Sequence, residues 1–281
     1  MTEISTIVTE LQGIMAKERI LRQVPLSEYT SMRVGGPAEW MLLPESEEEL
    51  AGILGILHRH KMSPFVMGNG SNLIVQDGGI PGFTIRVGEG LSQIRVTETQ
   101  IEAQAGALLT AVAKTALDHS LTGFEFASGI PGSLGGAVVM NAGAYGGEMK
   151  DLVQSVRVLS PDGQVHVVQR DQLDYGYRTS ALQRDGSIVL SAVLDLALGD
   201  PIQIGGTMRE LRERRNDKQP MHLPSAGSVF KRPEGCYAGQ LIQEAGLRGL
   251  SLGGARVSPK HCGFIVNEDH ATAKDVTDLI E

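Results

Sequence analysis

Two glycine-rich segments contain the residues best suited to binding a large anionic ligand. The longer one, SGIPGSLGGAVVMNAGAYGG at 128–147, has seven glycines among small apolar residues, and GNGSNLIV at 68–75 precedes it. A glycine inside a helix or strand is destabilising by roughly 0.5–1 kcal/mol, but it lets the backbone approach a ligand closely. Successive backbone N–H groups in such loops form anion-binding concavities. The two segments therefore predict a dinucleotide held by main-chain N–H groups.

The first loop differs from a Rossmann fingerprint, which requires G-x-G-x-x-G between a strand and a helix. Leu73 stands where the third glycine belongs, and the LIV that follows predicts a second strand instead of a helix. An ordinary hairpin turn is an equally good interpretation of this loop taken alone. For the second loop, the alternative to a ligand site is a tightly packed crossover.

Two further segments contain polar residues that suit chemistry on an anionic substrate. Arg178 lies in YGYRTS and Ser228 lies in SAGSVFKRP. A guanidinium binds a carboxylate through two parallel hydrogen bonds and stays charged at any working pH. A loop serine more often serves as a cap or turn residue, and Ser225 offers the same hydroxyl three residues earlier. From the residues alone, a structural role remains the commoner one for both.

The composition restricts the class of protein. The chain has 281 residues, a net charge of −8, 41% hydrophobic residues and 21% charged residues, as in a soluble globular protein. The acidic balance argues against general nucleic-acid binding, and no 18-residue apolar run suggests a membrane span. Cys236 and Cys262 are the two cysteines, so we expect a reducing cytoplasm. His58 and His60 are at alternate positions of a helix, a spacing that does not favour a metal site.

The apolar periodicity predicts helices interspersed with many short strands, which is an α+β pattern. The predicted elements are a helix over 1–27, a turn and strand over 28–43, a helix over 46–61 capped by Ser46, strand–turn–strand over 64–77, antiparallel strands over 83–106, a helix over 107–120, a hairpin over 153–168, a strand over 187–198, a basic helix over 206–218, a helix over 237–245 and a last helix from Thr272. Acidic residues alternate with the arginines of the basic helix, so much of that helix is expected to be a solvated face.

Eight motifs occur along the chain in the order found in one enzyme family. They are TSMRVGGPA, GNGSNLIV, SGIPGSLGGAVVMNAGAYG, YGYRTS, NDKQP, SAGSVFKRP, AGQLIQEAGLRG and GFIVN. With these motifs the chain resembles the UDP-N-acetylenolpyruvoylglucosamine reductases, flavoenzymes of peptidoglycan synthesis, over nearly all of residues 28–280. The resemblance implies two FAD-binding subdomains of the vanillyl-alcohol-oxidase-like type, over 1–84 and 85–201. It also implies a C-terminal α+β substrate-binding domain over 202–281, as in the shorter class of the family.

The resemblance implies FAD as cofactor and NADPH as hydride donor. FAD is expected to contact both glycine-rich loops, with the pyrophosphate on the first. The residues implied are Gly68, Asn69, Gly70, Ser71 and Asn72, and then Gly129, Ile130, Pro131, Gly135, Gly136, Asn141 and Ala142.

The resemblance also implies the reaction, which adds hydride and a proton to the enolpyruvyl group of UDP-N-acetylglucosamine enolpyruvate. Negative charge that develops beside the substrate carboxylate needs a cation, and the family places its catalytic arginine at Arg178. Ser228 matches the proton donor. The substrate contacts implied are Tyr177, Lys218, Lys231 and Arg232.

The family continues beyond the position of Glu281 with a helix and a strand that contains a glutamate thought to assist protonation. Glu281 matches the helix, so that role is not transferred to it. Two other functions remain open on the sequence. One is a different flavoenzyme of the same superfamily, such as an alcohol or sugar oxidase, although no His or Cys lies in the glycine-rich loops to tether a flavin. The other is a non-catalytic FAD- or nucleotide-binding protein.

Overall fold

The computed structural model describes residues 3–281, so the part of the first predicted helix that covers residues 1 and 2 lies outside it. The chain divides into two compact units. The first comprises the residues up to Arg22, Trp40–Asn69 and Gly82–Arg212, and the second comprises Gln23–Glu39, Gly70–Pro81 and Glu213–Glu281. Each unit is therefore assembled from three separate stretches of chain.

Helices and short strands alternate along the described residues, as the α+β pattern predicts. The α-helices are α1 Glu3–Leu11, α2 Glu47–Arg59, α3 Leu109–Asp118, α4 Leu134–Val139, α5 Leu182–Asp185, α6 Pro201–Lys218, α7 Ala238–Glu244 and α8 Ala273–Ile280. The strands are β1 Ile20–Pro25, β2 Pro37–Leu42, β3 Phe65–Met67, β4 Ile80–Arg86, β5 Ile94–Thr97, β6 Gln100–Gln104, β7 Leu121–Thr122, β8 Gly143–Ala144, β9 Gly147–Glu148, β10 Val153–Leu159, β11 Val165–Gln169, β12 Ile188–Asp195, β13 Ala197–Leu198, β14 Ser251–Leu252, β15 Ala255–Val257 and β16 Ile265–Asn267.

The largest sheet of the first unit has the strand order β11-β10-β12-β6-β5. Its neighbouring strands all pair antiparallel. Apolar residues of β10 and β12 are buried in one core together with α2, α3 and α4. That core supports the second glycine-rich segment, because α4 packs against β12 and β6.

The second unit has a smaller core of its own. Met32 and Val34 are buried there with residues of β15, β16 and α8. Strands β14, β15 and β16 form a three-stranded antiparallel sheet. Burial of these early and late segments together explains why the motifs TSMRVGGPA and GFIVN, far apart in the sequence, belong to one structure.

Four predicted elements differ from the structure. The helix expected over 1–27 ends at Leu11, and 20–25 form β1, in which Ile20 and Val24 are buried. Pro25 has no N–H and does not suit a helix interior. The basic helix begins at Pro201 instead of 206. The Asp200 carboxylate accepts from the Ile202 N–H at 2.9 Å, and proline suits the first helical position.

The third difference lies at 73–75, where no strand forms. A four-stranded sheet has the order β1-β2-β4-β3, and β3 and β4 pair in parallel. Parallel neighbours cannot be joined by a tight hairpin, so the segment between them is a crossover. The hairpin interpretation of the first glycine-rich loop is therefore wrong. The fourth difference concerns the antiparallel strands expected over 83–106. Strands β5 and β6 are antiparallel, but residues 83–86 belong to β4, which pairs in parallel with β3.

Candidate active site

The two glycine-rich segments meet within the first unit. Asn69 Nδ2 donates to the Pro131 carbonyl at 2.9 Å. A Cβ atom on Gly68 would overlap the hydroxyl of Ser133, so the backbone of the first loop lies directly against the second. The contact between the two loops places Gly68, Asn69 and Pro131 together, which are three of the residues predicted to bind the cofactor.

A cavity of about 230 Å³ opens beside this contact. Its lining combines small residues with polar side chains and comprises Asn69, Arg86, Val87, Gly88, Glu89, Ser92, Gly106, Ala107, Leu108, Ala111 and Ser133. Sites for whole drug-sized ligands occupy roughly 300–1,000 Å³, so the cavity has room for one end of a dinucleotide. Most of its lining, including Arg86 and Glu89, was not predicted from the sequence, because those residues lie in strands and turns without a glycine-rich motif.

Gly70 lies in the second unit, and its neighbours dictate its residue type. Its φ is +63°, and a Cβ atom would overlap the carbonyl oxygen of Tyr29. The Gly70 carbonyl accepts from the Ser31 N–H at 3.2 Å. Packing alone therefore requires glycine here. Ser71 is half-buried and Asn72 is exposed, so their polar side chains are accessible to a ligand.

Helix α4 contains two adjacent glycines with different surroundings. Gly135 is buried, and a Cβ atom there would lie 2.8 Å from Ala105 Cβ, so this glycine is needed for packing. Gly136 is exposed, and a Cβ atom there would have Ser133 Oγ as its nearest non-adjacent neighbour, at 3.8 Å. Packing within the protein therefore does not require glycine at 136. The open space beside this backbone would let a ligand approach it closely.

The remaining predicted cofactor residues of this segment are partly engaged within the protein. Ile130 packs against the core, and Gly129 is half-buried. The Ala142 N–H donates to the Ala137 carbonyl at 2.8 Å, and the Ala142 carbonyl accepts from Met149. The Asn141 side chain is fully buried. Its amide donates to Glu148 at 3.2 Å and to the Gly176 carbonyl at 2.9 Å, so its contacts in this structure are to protein groups.

Arg178 lies against the end of the second glycine-rich segment. Its Nη1 donates to the Asn141 carbonyl at 3.0 Å, and its Nη2 donates to the Gly143 carbonyl at 2.8 Å. Its φ of +56° is uncommon for a residue with a side chain, which marks a constrained position. Its side chain stays 30% exposed. The guanidinium also lies 5.0 Å from the ring centre of Tyr177, a cation–π arrangement.

Glu148 lies beside Arg178 and was not singled out from the sequence. Its Oε1 is 3.8 Å from Arg178 Nη1, and its Oε2 is 2.7 Å from Lys150 Nζ. Burial acts to raise the pKa of Glu148, but Lys150, Asn141 and Arg178 together hold that pKa below its usual value. The carboxylate is therefore ionised at neutral pH. The sequence did offer one indication of this residue, because Glu148 directly follows Gly147, the last glycine of the segment.

Ser228 lies in the second unit, next to the segment that contains GFIVN. It forms an isolated bridge with Phe264, and the Val229 N–H donates to the Gly263 carbonyl at 2.9 Å. A Cβ atom on Gly263 would lie 3.1 Å from Ser228 Oγ and 3.0 Å from His261 Cε1. The hydroxyl is exposed and 3.5 Å from the Phe230 carbonyl, at the limit of a hydrogen bond.

The predicted substrate cations are all exposed residues of the second unit. Lys218 is the last residue of α6, and Lys231 and Arg232 follow Ser228. The Arg232 guanidinium lies 4.1 Å from the ring centre of Tyr237. Because Arg178 and Tyr177 lie in the first unit, their meeting with Ser228 and these cations stays a prediction.

Two other kinds of feature are absent from the described residues. Between Glu3 and Glu281, no group of three or more His, Cys, Asp or Glu side chains is arranged to hold a metal ion. Over the same range, no helix combines the length and apolar character that crossing a membrane requires.

Two family models match the chain. The FAD binding domain matches residues 38–169, which include both glycine-rich segments. The C-terminal domain of UDP-N-acetylenolpyruvoylglucosamine reductase matches residues 219–281, which include Ser228.

Curated relatives match almost the whole chain. The UDP-N-acetylenolpyruvoylglucosamine reductase of Clostridioides difficile is 47% identical over 274 residues, which are 98% of this chain and 90% of the relative. That of Limosilactobacillus reuteri is 49% identical over 261 residues, which are 93% of this chain and 87% of the relative.

Solved structures agree with the fold. The reductase from Thermus caldophilus has a TM-score of 0.82 at 38% identity and covers 93% of each chain. An alkyldihydroxyacetonephosphate synthase has a TM-score of 0.53 at 17% identity, covering 69% of this chain and 40% of its own, and shows a shared fold alone. The α+β FAD-binding fold expected from the motifs is confirmed. The chain belongs to the UDP-N-acetylenolpyruvoylglucosamine reductase family.

Proposed function

We propose that this protein catalyses the NADPH-dependent, FAD-mediated reduction of UDP-N-acetylglucosamine enolpyruvate to UDP-N-acetylmuramate in peptidoglycan synthesis. The observation that carries the proposal is the position of Arg178. Its guanidinium is held by two backbone carbonyls at the end of the second glycine-rich segment. Family membership over nearly the full chain supplies the reaction. A charged, half-exposed fork beside a cofactor loop suits a substrate that has a carboxylate next to the reacting carbons.

The residues of the first unit fit FAD. A cavity lined by small residues and polar side chains, among them Ser133, lies against the contact between the two loops, and Gly136 in α4 leaves open space near Ser133. We assign the cofactor contacts to Gly68, Asn69, Gly129, Ile130, Pro131, Gly135, Gly136, Asn141 and Ala142 of the first unit, and to Gly70, Ser71 and Asn72, which belong to the second unit. FAD, when bound, would supply to the enolpyruvyl methylene carbon the hydride that it takes from NADPH.

Arg178 would bind the substrate carboxylate and stabilise the negative charge that grows on it as hydride arrives. Two of the five N–H groups of a guanidinium are directed to Asn141 and Gly143. The guanidinium therefore has further N–H groups with which to bind a carboxylate.

Ser228 would donate the proton from Oγ to the carbon next to the carboxylate. A hydroxyl is a weak acid, so it acts only on the strongly basic carbon of an enolate, and no histidine is needed. The diphosphate would bind to Lys218, Lys231 and Arg232, with Tyr177 beside the carboxylate. In this proposal residues 1–84 and 85–201 hold FAD, and residues 202–281 hold the sugar nucleotide.

Purification followed by a coupled assay tests the proposal. We expect a yellow protein with flavin absorbance that oxidises NADPH only when UDP-N-acetylglucosamine enolpyruvate is present. A colourless protein that takes up no FAD would contradict the cofactor assignment. A protein that binds FAD but forms no UDP-N-acetylmuramate would be a nucleotide-binding relative without the activity.

A further inference from the structure

Glu148 is the charged group nearest to Arg178 for which the proposed reaction has no role. Strands β8 and β9 pair antiparallel, and Gly143 lies directly opposite Glu148. The hairpin thus presents a carbonyl acceptor and a carboxylate to the same guanidinium. A Cβ atom on Gly143 would lie 2.7 Å from Glu148 Cγ, so the two positions are packed tightly.

The Glu148 carboxylate is itself held from several sides. Asn141 Nδ2 donates to it at 3.2 Å, and the Lys150 ammonium lies 2.7 Å away. It also caps the short 3₁₀ turn Met149–Asp151, accepting from the Asp151 N–H, while the Glu148 N–H donates to the Asp151 carboxylate. A carboxylate fixed in this way keeps a constant position beside Arg178.

The distance between the two charges is informative. At 3.8 Å, Glu148 Oε1 attracts Arg178 Nη1 but does not accept a hydrogen bond from it. A closer, bidentate pair would occupy the fork that a substrate carboxylate needs. The observed arrangement restrains the guanidinium by charge and by the shared partner Asn141, and it leaves the fork available.

We propose that Glu148 is a positioning residue for Arg178, which orients the guanidinium toward the substrate carboxylate without occupying its hydrogen-bonding fork. The proposal rests on the proposed function of Arg178. It implies that loss of the Glu148 charge misplaces the guanidinium by enough to slow the reduction of the sugar nucleotide, while the reaction of NADPH with the cofactor continues.

The variant Glu148→Gln removes the charge and keeps the shape. We expect its kcat for sugar-nucleotide reduction to fall on the order of ten-fold, since small displacements of a catalytic group have such effects. The KM for NADPH and the rate of the NADPH half-reaction should stay within about two-fold of wild type. The matched control is Asp151→Asn, which alters the same capping interaction and leaves the carboxylate beside Arg178. Equal loss in both half-reactions, or an equal effect of Asp151→Asn, would identify a structural role and overturn the proposal.

Measurements of ligand binding distinguish whether Glu148 orients Arg178 or only compensates its charge. If Glu148 orients Arg178, Glu148→Gln should weaken binding of UDP-N-acetylmuramate several-fold and leave binding of UDP-N-acetylglucosamine, which lacks the carboxylate, unchanged. This effect should vanish in an Arg178→Ala background, because the two side chains then have no shared interaction to lose. Unchanged or tighter binding of UDP-N-acetylmuramate to Glu148→Gln would refute orientation by Glu148.

A measurement without substrate separates this inference from the proposed function. In ¹⁵N-arginine-labelled protein, the Nε–Hε resonance of Arg178 is identified by its loss in Arg178→Lys. We expect that resonance to be sharp in wild type and Asp151→Asn, and broadened in Glu148→Gln. A resonance that Glu148→Gln leaves unchanged would rule out the inference, whatever the activity assays give. If the resonance broadens but the wild type reduces no sugar nucleotide, the proposed function fails and the Glu148–Arg178 coupling stands.

Discussion

At the scale of single residues, Arg178 combines firm positioning with accessibility. Two backbone carbonyls accept from its terminal nitrogens, and one of them, that of Gly143, lies in the hairpin β8–β9. Its backbone φ of +56° adds a constraint that few side chains tolerate. A residue held in this way does not need to reorganise when charge develops beside it, which is the property that makes fixed donors effective in catalysis.

Arg178→Lys should therefore impair the reaction although it keeps the charge. An ammonium cannot reproduce the planar fork that bonds two carbonyls and a carboxylate at once. We expect the rate of sugar-nucleotide reduction to fall about a hundred-fold, as when a single preorganised donor is removed. Stopped-flow measurement of the two half-reactions checks this. A comparable loss in the NADPH half-reaction would contradict a role confined to the substrate carboxylate.

Ser228→Ala tests the assigned proton donor, and Ser225→Ala is its control in the same loop. Loss of a general acid typically slows a reaction by about 10²–10⁴-fold. We expect Ser228→Ala to slow sugar-nucleotide reduction by an amount in that range and to leave the NADPH half-reaction almost normal. Ser225→Ala should stay close to wild type in both. If the two alanine variants behave alike, Ser228 is not the donor.

At the scale of elements, α4 offers a sharp test of cofactor binding, because its two glycines differ in their surroundings. Gly136→Ala should stabilise the apoprotein by up to about 1 kcal/mol through helix propensity. It should also lower FAD affinity about ten-fold, if backbone lies close to the cofactor there. Gly135→Ala should destabilise the apoprotein by about 1–3 kcal/mol, because its Cβ would press on Ala105.

Fluorescence titration with FAD and urea unfolding of the apoprotein distinguish these effects. The control for helix propensity is Gly55→Ala in α2, where a Cβ would meet no atom within 4 Å. That variant should gain stability and bind FAD normally. Unaltered FAD affinity in Gly136→Ala would argue that the outer side of α4 does not face the cofactor.

Asn267 at the end of β16 joins distant segments of the second unit. Its Nδ2 donates to the carbonyls of Met32 at 3.2 Å and Arg33 at 3.3 Å, and its Oδ1 accepts from the Ala271 N–H at 2.8 Å. Asn267→Ala should lower the free energy of unfolding by about 2–3 kcal/mol, because buried groups would lose their partners. Asn216→Ala, at an exposed position of α6, is the control for urea unfolding and should change stability little.

Elements with strong local signals were predictable from the sequence. Ser46 accepts from the Glu49 N–H at the start of α2, as its capping pattern predicts. Helix α8 begins at the predicted place, where Thr272 accepts from the Asp275 N–H. The PDG turn between β10 and β11 likewise gives the expected hairpin. By contrast, residues 20–25 and 73–75 were mispredicted because their conformation depends on sheet partners that no local pattern reveals.

At the scale of the whole molecule, the site could be predicted in its parts but not in its assembly. Motif order singled out the loops, Arg178 and Ser228, and the roles of these residues stay predictions. The contact of Asn69 with Pro131 joins residues far apart in the sequence, and the position of Glu148 beside Arg178 depends on the turn between β8 and β9. No local pattern in a single sequence predicts either arrangement. The three-part division at 84 and 201 stays a prediction, whereas the structure shows two units.

The lowered pKa values of several carboxylates predict that the protein loses stability in acid. Hydrogen bonding to Arg19, whose Nη2 lies 2.6 Å from Glu49 Oε1, holds the pKa of Glu49 below its usual value despite some burial. The pKa values of Glu148 and Asp275 are likewise lowered. A lowered folded-state pKa contributes stability that is complete above the unfolded value of about 4 and is lost as pH falls through the folded value.

Melting temperatures measured between pH 7 and pH 3 check this prediction. The decline should begin near pH 5 and steepen below pH 4. Glu49→Gln should melt lower at pH 7, because Arg19 loses its ionic partner, and should show a shallower decline in acid. A melting temperature that is flat down to pH 3 would show that these carboxylates gain little from folding.

The division of the second unit among three stretches of chain has a consequence for its biosynthesis. Met32 and Val34 leave the ribosome early, but the helix that covers them ends at Ile280. Translation proceeds at about 5–20 residues per second, so these apolar residues wait through most of the chain's synthesis before their partners exist. The second unit therefore cannot complete its folding until that helix has been synthesised, and its early apolar residues are most open to aggregation during this interval.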